Sequence, residues 1–370
     1  MTFLFSFSKY PKFFHILHIF QNFVLLSAST TLSYIAHFLN NPLLINYFQQ
    51  ELSKEKCDHH FIHFCINLLQ SIAYHPLTTQ ELNEYLLNIY IHLLQHPSFY
   101  SQIERRNELI KIYMHLNIYQ SENKPYILQQ YPIIYEFFKT IINEIIQTED
   151  ASKISPENQY AFVTLMTFWN EFIVNIGSKT PKPTEYQPDL HVDRFPIDLI
   201  PIDLNNLIEF MINSNDVQIL CQIFSYIINL SYYCDSVAKQ LDKLTDLVIS
   251  IIENNDNSLL TLYGELIIII SLFFSDPTKL SDFYRNSSIW IDSLERFSNG
   301  TFSSQFNVIF LGFLGKVIQL AVSEGNTEQI LQQIKDYDII DGLHRMEMDE
   351  DSFISSSAHA LASVLMSNLS

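Results

Sequence analysis

The first 176 residues of this 370-residue chain contain no glycine; all seven glycines lie at or beyond Gly177. Phosphate-cradling loops and the tight turns of α/β sheets use glycine where φ is positive or backbones approach closely, so this stretch holds no such loop. The thirteen prolines fall mostly between apolar periodic segments, where helix boundaries belong. Hydrophobic residues make up 48% of the chain, enough to bury an extended core. The expected class is all-α, arranged as two or three domains or as one elongated array.

Hydrophobic periodicity supplies the helices. The spacing predicts a helix over 78–96, where Leu82, Leu86, Ile89 and Leu93 recur at steps of three and four behind a Thr78/Glu81 capping box. Ser155, Pro156 and Glu157 form an N-cap followed by proline at the first helical position, opening a helix over 158–176. Segments 125–147, 216–233, 235–253, 258–274, 303–322 and 351–369 read the same way, joined by a few polar residues such as 254–257 and 323–326. No alternating strand pattern of useful length lies between them, and short loops make successive amphipathic helices antiparallel neighbours. The apolar run 266–274 is about half the length a bilayer crossing needs and follows Glu265, so it reads as a buried core helix and no membrane span is expected. At the N-terminus Lys9 and Lys12 follow the first apolar run, and His15, His18, Gln21 and Asn22 interrupt the next at helical spacing. An amphipathic first helix is expected there in place of a secretory leader.

Charge is unevenly placed. Residues 1–125 hold 8 Lys and Arg against 8 Asp and Glu, so the whole net charge of −19 arises beyond Pro125. A polyanionic surface repels phosphate backbones, and no direct nucleic-acid ligand is expected. Solvation accounts for the excess in the plain reading; a protein partner with a basic segment accounts for it in the sharper one. The four cysteines, Cys57, Cys65, Cys221 and Cys234, include no CxxC pair, which suits reduced thiols in the cytoplasm, with the nucleus as the alternative.

Segment 178–203 carries five of the thirteen prolines and cannot be helical throughout. It is read as a Pro-rich linker or as an ordered long loop held by Phe195, Ile197, Leu199 and Ile200. The expected organisation is an N-terminal helical subarray over 1–177, this linker, and a C-terminal subarray over 204–370.

Self-similarity sharpens that division. Long apolar helices close near Leu230, Leu272, Leu320 and Leu369, at intervals of 42, 48 and 49 residues. Such intervals are the repeat length of armadillo and HEAT arrays, with small insertions. The stretch 206–241, NLIEFMINSNDVQILCQIFSYIINLSYYCDSVAKQL, resembles one armadillo repeat, and the final AHALASVLMSNLS resembles the last helix of another. The resemblance covers 204–370 and implies a right-handed superhelical solenoid with a long concave face. In armadillo proteins that hold extended peptides, an asparagine near the end of the third helix lines that face. By position the resemblance assigns this role to Asn229 and Asn368, and more loosely to Asn175. Import adaptors of the superfamily pair the asparagine with a tryptophan four residues earlier. This chain departs from that pairing, since Trp169 and Trp290 are followed four places on by Ile173 and Leu294.

Enzyme templates are missing. No GxSxG, P-loop or dinucleotide glycine pattern occurs. His59 and His63, one helical turn apart between Cys57 and Cys65, invite a metal, but the glutamate of HExxH and the short-spaced pairs of zinc fingers are absent. Helix-surface histidines and a buried thiol explain the cluster. Gly312 and Gly315 lie inside an apolar helix and are read as allowing close helix packing. The acidic run 336–351 is read as a solvated turn-and-helix face. The expected function is a non-enzymatic scaffold or adaptor binding a protein or extended peptide along the concave face, without cofactor or metal. An importin-like cargo adaptor is the alternative, and a metal-dependent enzyme a more distant one.

Overall fold

The computed structural model describes residues 103–116, 132–179, 195–302, 304–350 and 352–369, with isolated positions between 50 and 95. Among the described residues every regular element is a helix, as the periodicity requires. The chain divides into two compact units, Met1–Asn175 with Pro201–Asn213, and Ile176–Ile200 with Ser214–Ser370.

The first unit includes α1 (Ile103–Leu116), α2 (Pro132–Thr148), α3 (Pro156–Lys179) up to Asn175, and α4 (Leu204–Ile212). Their core is aromatic. Tyr113, Phe138 and Phe168 meet edge to face with centroids 5.0, 5.7 and 5.4 Å apart. Each such pair adds about 0.5–1.5 kcal/mol beyond the area it buries. Buried Arg106 pairs with Glu144 at 2.6 Å, which spares the interior an uncompensated cation. Helix α4 stands at the head of the C-terminal subarray in the sequence reading. In the structure it packs on α2 within the first unit, with Phe210 5.1 Å from Phe162 and the Asn143 amide donating to the Pro201 carbonyl at 2.9 Å. Apolar Leu207, Phe210 and Met211 form the stripe it buries.

The second unit contains α5 (Val217–Tyr233), α6 (Asp235–Ala238), α7 (Thr245–Glu253), α8 (Ser258–Phe273), α9 (Pro277–Asn286), α10 (Ser288–Ser298), α11 (Ser304–Ser323), α12 (Thr327–Asp336), α13 (Ile339–Met346) and α14 (Ser352–Leu369). Their starts are written in the sequence. Asp216 accepts the Ile219 N–H at 2.9 Å, Asn257 accepts from Leu259 and Leu260 at 3.1 and 3.0 Å, and Asp276 accepts from Thr278 at 2.7 Å. Each cap contributes about 1 kcal/mol. Gly300 and Gly325, at φ 67° and 72°, follow α10 and α11 in the left-handed conformation that ends helices.

The helix read over 235–253 is three pieces: α6, a 3-10 turn at Leu241–Leu244, and α7. Buried Ala238, Leu241 and Leu244 recur every three residues, the 3-10 period, so the chain tightens to keep them on one line. Two short helical segments followed by a long helix then recur: α6 and α7 before α8, α9 and α10 before α11, α12 and α13 before α14. Each long helix packs on the next, α5 on α8, α8 on α11 and α11 on α14, and the second short helices α10 and α13 also meet. Helix α8 lies inside this layer; its residues from Gly264 to Leu272 are all buried, while Phe273 and Phe274, the end of the run read as a buried core helix, are half-buried. Phe306–Ser323, within α11, is long and apolar enough to cross a bilayer, with 44% of it buried in the fold.

Candidate functional site

The layer of long helices leaves a cavity of about 470 Å³ open to solvent. Helix α5 ends at its wall with Ser231 and Tyr232, followed by Asp235 at the start of α6. The end of α8 supplies Ile270, Phe273 and Phe274, where its all-round burial gives way to half-buried rings. From α11 come Val308, Gly312, Gly315 and Gln319, spaced four, three and four apart and therefore on one face. From α14 come Ser357, Ala360, Leu361 and Val364, again one face, with Val364 47% exposed. Apart from Gln319 the walls are apolar, aromatic or small, and Asp235 is the one charged side chain among them.

Gly312 and Gly315 do not serve the close packing expected of them. A Cβ at Gly312 would sit 3.7 Å from Phe273, and one at Gly315 3.5 Å from Leu361, both ordinary van der Waals distances. The helices would tolerate alanine, so the missing methyl groups widen the cavity instead. Each glycine costs its helix about 0.5–1 kcal/mol relative to alanine. Beside the cavity the Lys316 ammonium donates to the Phe273 carbonyl at the end of α8 and lies 5.2 Å from the Phe273 ring centre. Burial holds its pKa below the usual lysine range.

The opposite side of α8 is closed. Gly264 faces Ile252, Val248 and Phe224 so tightly that a Cβ would overlap Ile252. The next residue, Glu265, is 2% exposed and lies 2.9 Å from Arg296 of α10. Burial pushes its carboxyl up to about 7, Arg296 pulls it down, and Asp292 adds to the rise. Between α9 and the turn after α11, one Glu324 oxygen accepts from Ser281, Tyr284 and Arg285 at 2.8, 2.9 and 2.8 Å. These groups join helices to helices.

Of the residues the armadillo resemblance singles out, Asn229 is buried in α5 at 8% exposure, and the cavity is lined by its neighbours Ser231 and Tyr232. Asn175, in α3, donates to the Glu171 carbonyl one turn back at 2.9 Å. Asn368 belongs to α14, and its side chain lies outside the described residues. Trp169 and Trp290 are fully buried; the Trp290 indole donates to Gln333 at 3.0 Å, so each is a core residue of its unit. The candidate metal residues Cys57, His59 and His63 lie outside the described residues, and Cys65 is buried. Among the described residues no three His, Cys, Asp or Glu side chains are placed to hold a metal ion, and none of the described cysteines forms a disulfide. The linker reading of 178–203 touches the described residues at its ends. Phe195 is buried with its N–H donating to the Tyr233 carbonyl at 3.2 Å, and Ile197 is half exposed at 52%.

A scan against protein-family models finds no match, and a search of the curated proteins finds no significant similarity. Function therefore rests on the geometry above.

Proposed function

We propose that this chain is a non-enzymatic scaffold or adaptor of armadillo/HEAT type that binds a partner protein along the face made by α5, α8, α11 and α14. The observation that carries the reading is the recurrence of two short helices and one long, with each long helix packed on the next. One such unit cannot bury its own apolar face, so stacking is required, and stacking leaves a continuous face as its by-product. On this reading α11 is a core helix of the array and not a bilayer span. Extended faces suit extended peptide segments. Residues 214–370 carry 20 Asp and Glu against 8 Lys and Arg, which favours a basic partner and disfavours nucleic acid. The importin-like alternative pairs the asparagine with a tryptophan four residues earlier, whereas Trp169 and Trp290 are followed four places on by Ile173 and Leu294. The cysteines are consistent with a cytoplasmic protein.

The test is affinity capture with the full chain as bait, followed by mass spectrometry at low and physiological salt. One stoichiometric partner with a Lys/Arg-rich segment, released as salt rises, is the expected result. Capture of nucleic acid that survives nuclease-free washing, or turnover of a small molecule by the purified chain, would replace this reading.

A further inference from the structure

The Gly312/Gly315 cavity has the features of an anchor site on that face. We infer that it receives two large apolar side chains of one extended partner segment, with a lysine or arginine beside them meeting Asp235. The inference rests on the scaffold reading and names the chemistry of what that scaffold holds.

Three observations converge on this occupant. The first is size. An apolar cavity of about 150 Å³ already holds a benzene ring. The 470 Å³ here exceeds what one side chain fills and suits two. In an extended segment, residues i and i+2 point to the same side, roughly 7 Å apart, so a Φ-x-Φ pair enters one cavity together. The second is the wall. Gly312 and Gly315 on α11 stand with Ser357 and Ala360 of α14, all small, and the two glycines are not needed for helix packing, since a Cβ would meet only ordinary contacts. Their shared consequence is volume. Val364, 47% exposed, is uncovered apolar surface of the same site.

The third observation is charge. Asp235 is the single charged residue lining the cavity, within a unit that is strongly acidic. Five of the eight basic residues in 214–370 already have partners within the chain. Lys279 pairs with Asp242, Arg285 with Glu324 and Arg296 with Glu265, while Lys316 and Arg345 donate to the Phe273 and Ser298 carbonyls. The acidic excess therefore complements a cation brought by the partner. A purely apolar small molecule would leave that complementarity unused.

The experiment is fluorescence polarisation with the full chain and a set of labelled synthetic peptides. Each carries Φ-x-Φ, with Φ drawn from Phe, Leu, Ile and Trp, next to two lysines in a Ser/Thr background. At least one peptide should bind, and replacing its Φ residues by serine or its lysines by glutamate should weaken binding tenfold or more. Gly312→Leu, which fills the cavity from α11, should weaken it by a similar factor, and Asp235→Asn by several-fold, with a shallower salt dependence. Ala360→Leu fills the same space from α14 and serves if Gly312→Leu loses helicity by circular dichroism. Binding by none of the peptides overturns the inference, as does unchanged affinity in a folded cavity-filling variant. Uptake of a neutral apolar dye that Gly312→Leu abolishes, with no peptide bound, would also overturn it in favour of a small-molecule site. If a captured protein partner still binds Gly312→Leu at parental strength, the anchor site falls while the scaffold reading stands.

Discussion

Gly264 of α8 and Gly312 of α11 lie on adjacent helices of the same layer, yet a methyl group added at each meets different surroundings. At Gly264 it overlaps Ile252 and presses on Val248 and Phe224, so the glycine is what lets α7 and α5 close on α8. At Gly312 it finds Phe273 at 3.7 Å and room beyond. The closed side also buries a carboxylate, Glu265, against Arg296, while the open side keeps its one charged wall residue, Asp235, half-buried. One residue type thus serves two ends. On the closed side it contributes stability through packing. On the open side it reduces stability and leaves space, a combination common where binding is retained against stability.

The largest effect that would sharpen this contrast belongs to Glu265. Its carboxyl is raised to about 7 in the fold against 4.5 when unperturbed, so the folded state takes up the proton more readily. The stability this gives is fully present below the unfolded pKa and is lost as pH rises through 7. Between pH 8 and pH 5 the parent should gain about 2–3 kcal/mol relative to Glu265→Gln, measured by denaturant midpoints at the two pH values. A difference between the two proteins that does not change with pH would remove Glu265 as the buried group of the closed side.

Next in size is Gly264→Ala. Forcing a methyl group against Ile252 should cost about 1–3 kcal/mol and lower Tm. A neutral or stabilising result would mean that the closed side has slack, and the contrast with Gly312 would vanish. Smaller and opposite in sign, Gly312→Ala and Gly315→Ala should each stabilise by about 0.5–1 kcal/mol, because alanine fits both positions and gives up less chain entropy on folding. Loss of stability in either would restore the close-packing role that the sequence suggests for these glycines.

That misreading shows where the sequence stops being informative. Helix starts are legible because a cap is local: Asp216 and Asn257 each sit within three residues of the N–H they accept. The long helices were legible through their continuous apolar faces, and the closings near Leu230, Leu272, Leu320 and Leu369 mark the ends of α5, α8, α11 and α14. The shorter helices α9, α10 and α12 were not foreseen. Each buries only a narrow stripe, such as Ile330 and Ile334 in α12, and leaves the rest polar. The break after Ala238 was hidden because apolar positions spaced by three fit an α-helix nearly as well as a 3-10 turn. The cavity has no local signature at all. Two glycines in an apolar helix look the same whether a neighbour presses on them or solvent does, and the outcome depends on Phe273 and Leu361, 39 and 46 residues away from Gly312 and Gly315. Asn229, assigned to the face by resemblance, is 8% exposed in α5.

The central claim, that the layer of long helices is the working face, is tested most directly by a hydrogen-exchange footprint of the chain with its captured partner. Protection is predicted to concentrate at 308–319 of α11 and 357–364 of α14, with the α9–α10 and α12–α13 helices unchanged. Protection confined to those shorter helices, with 308–319 and 357–364 exchanging as in the unbound chain, would contradict it.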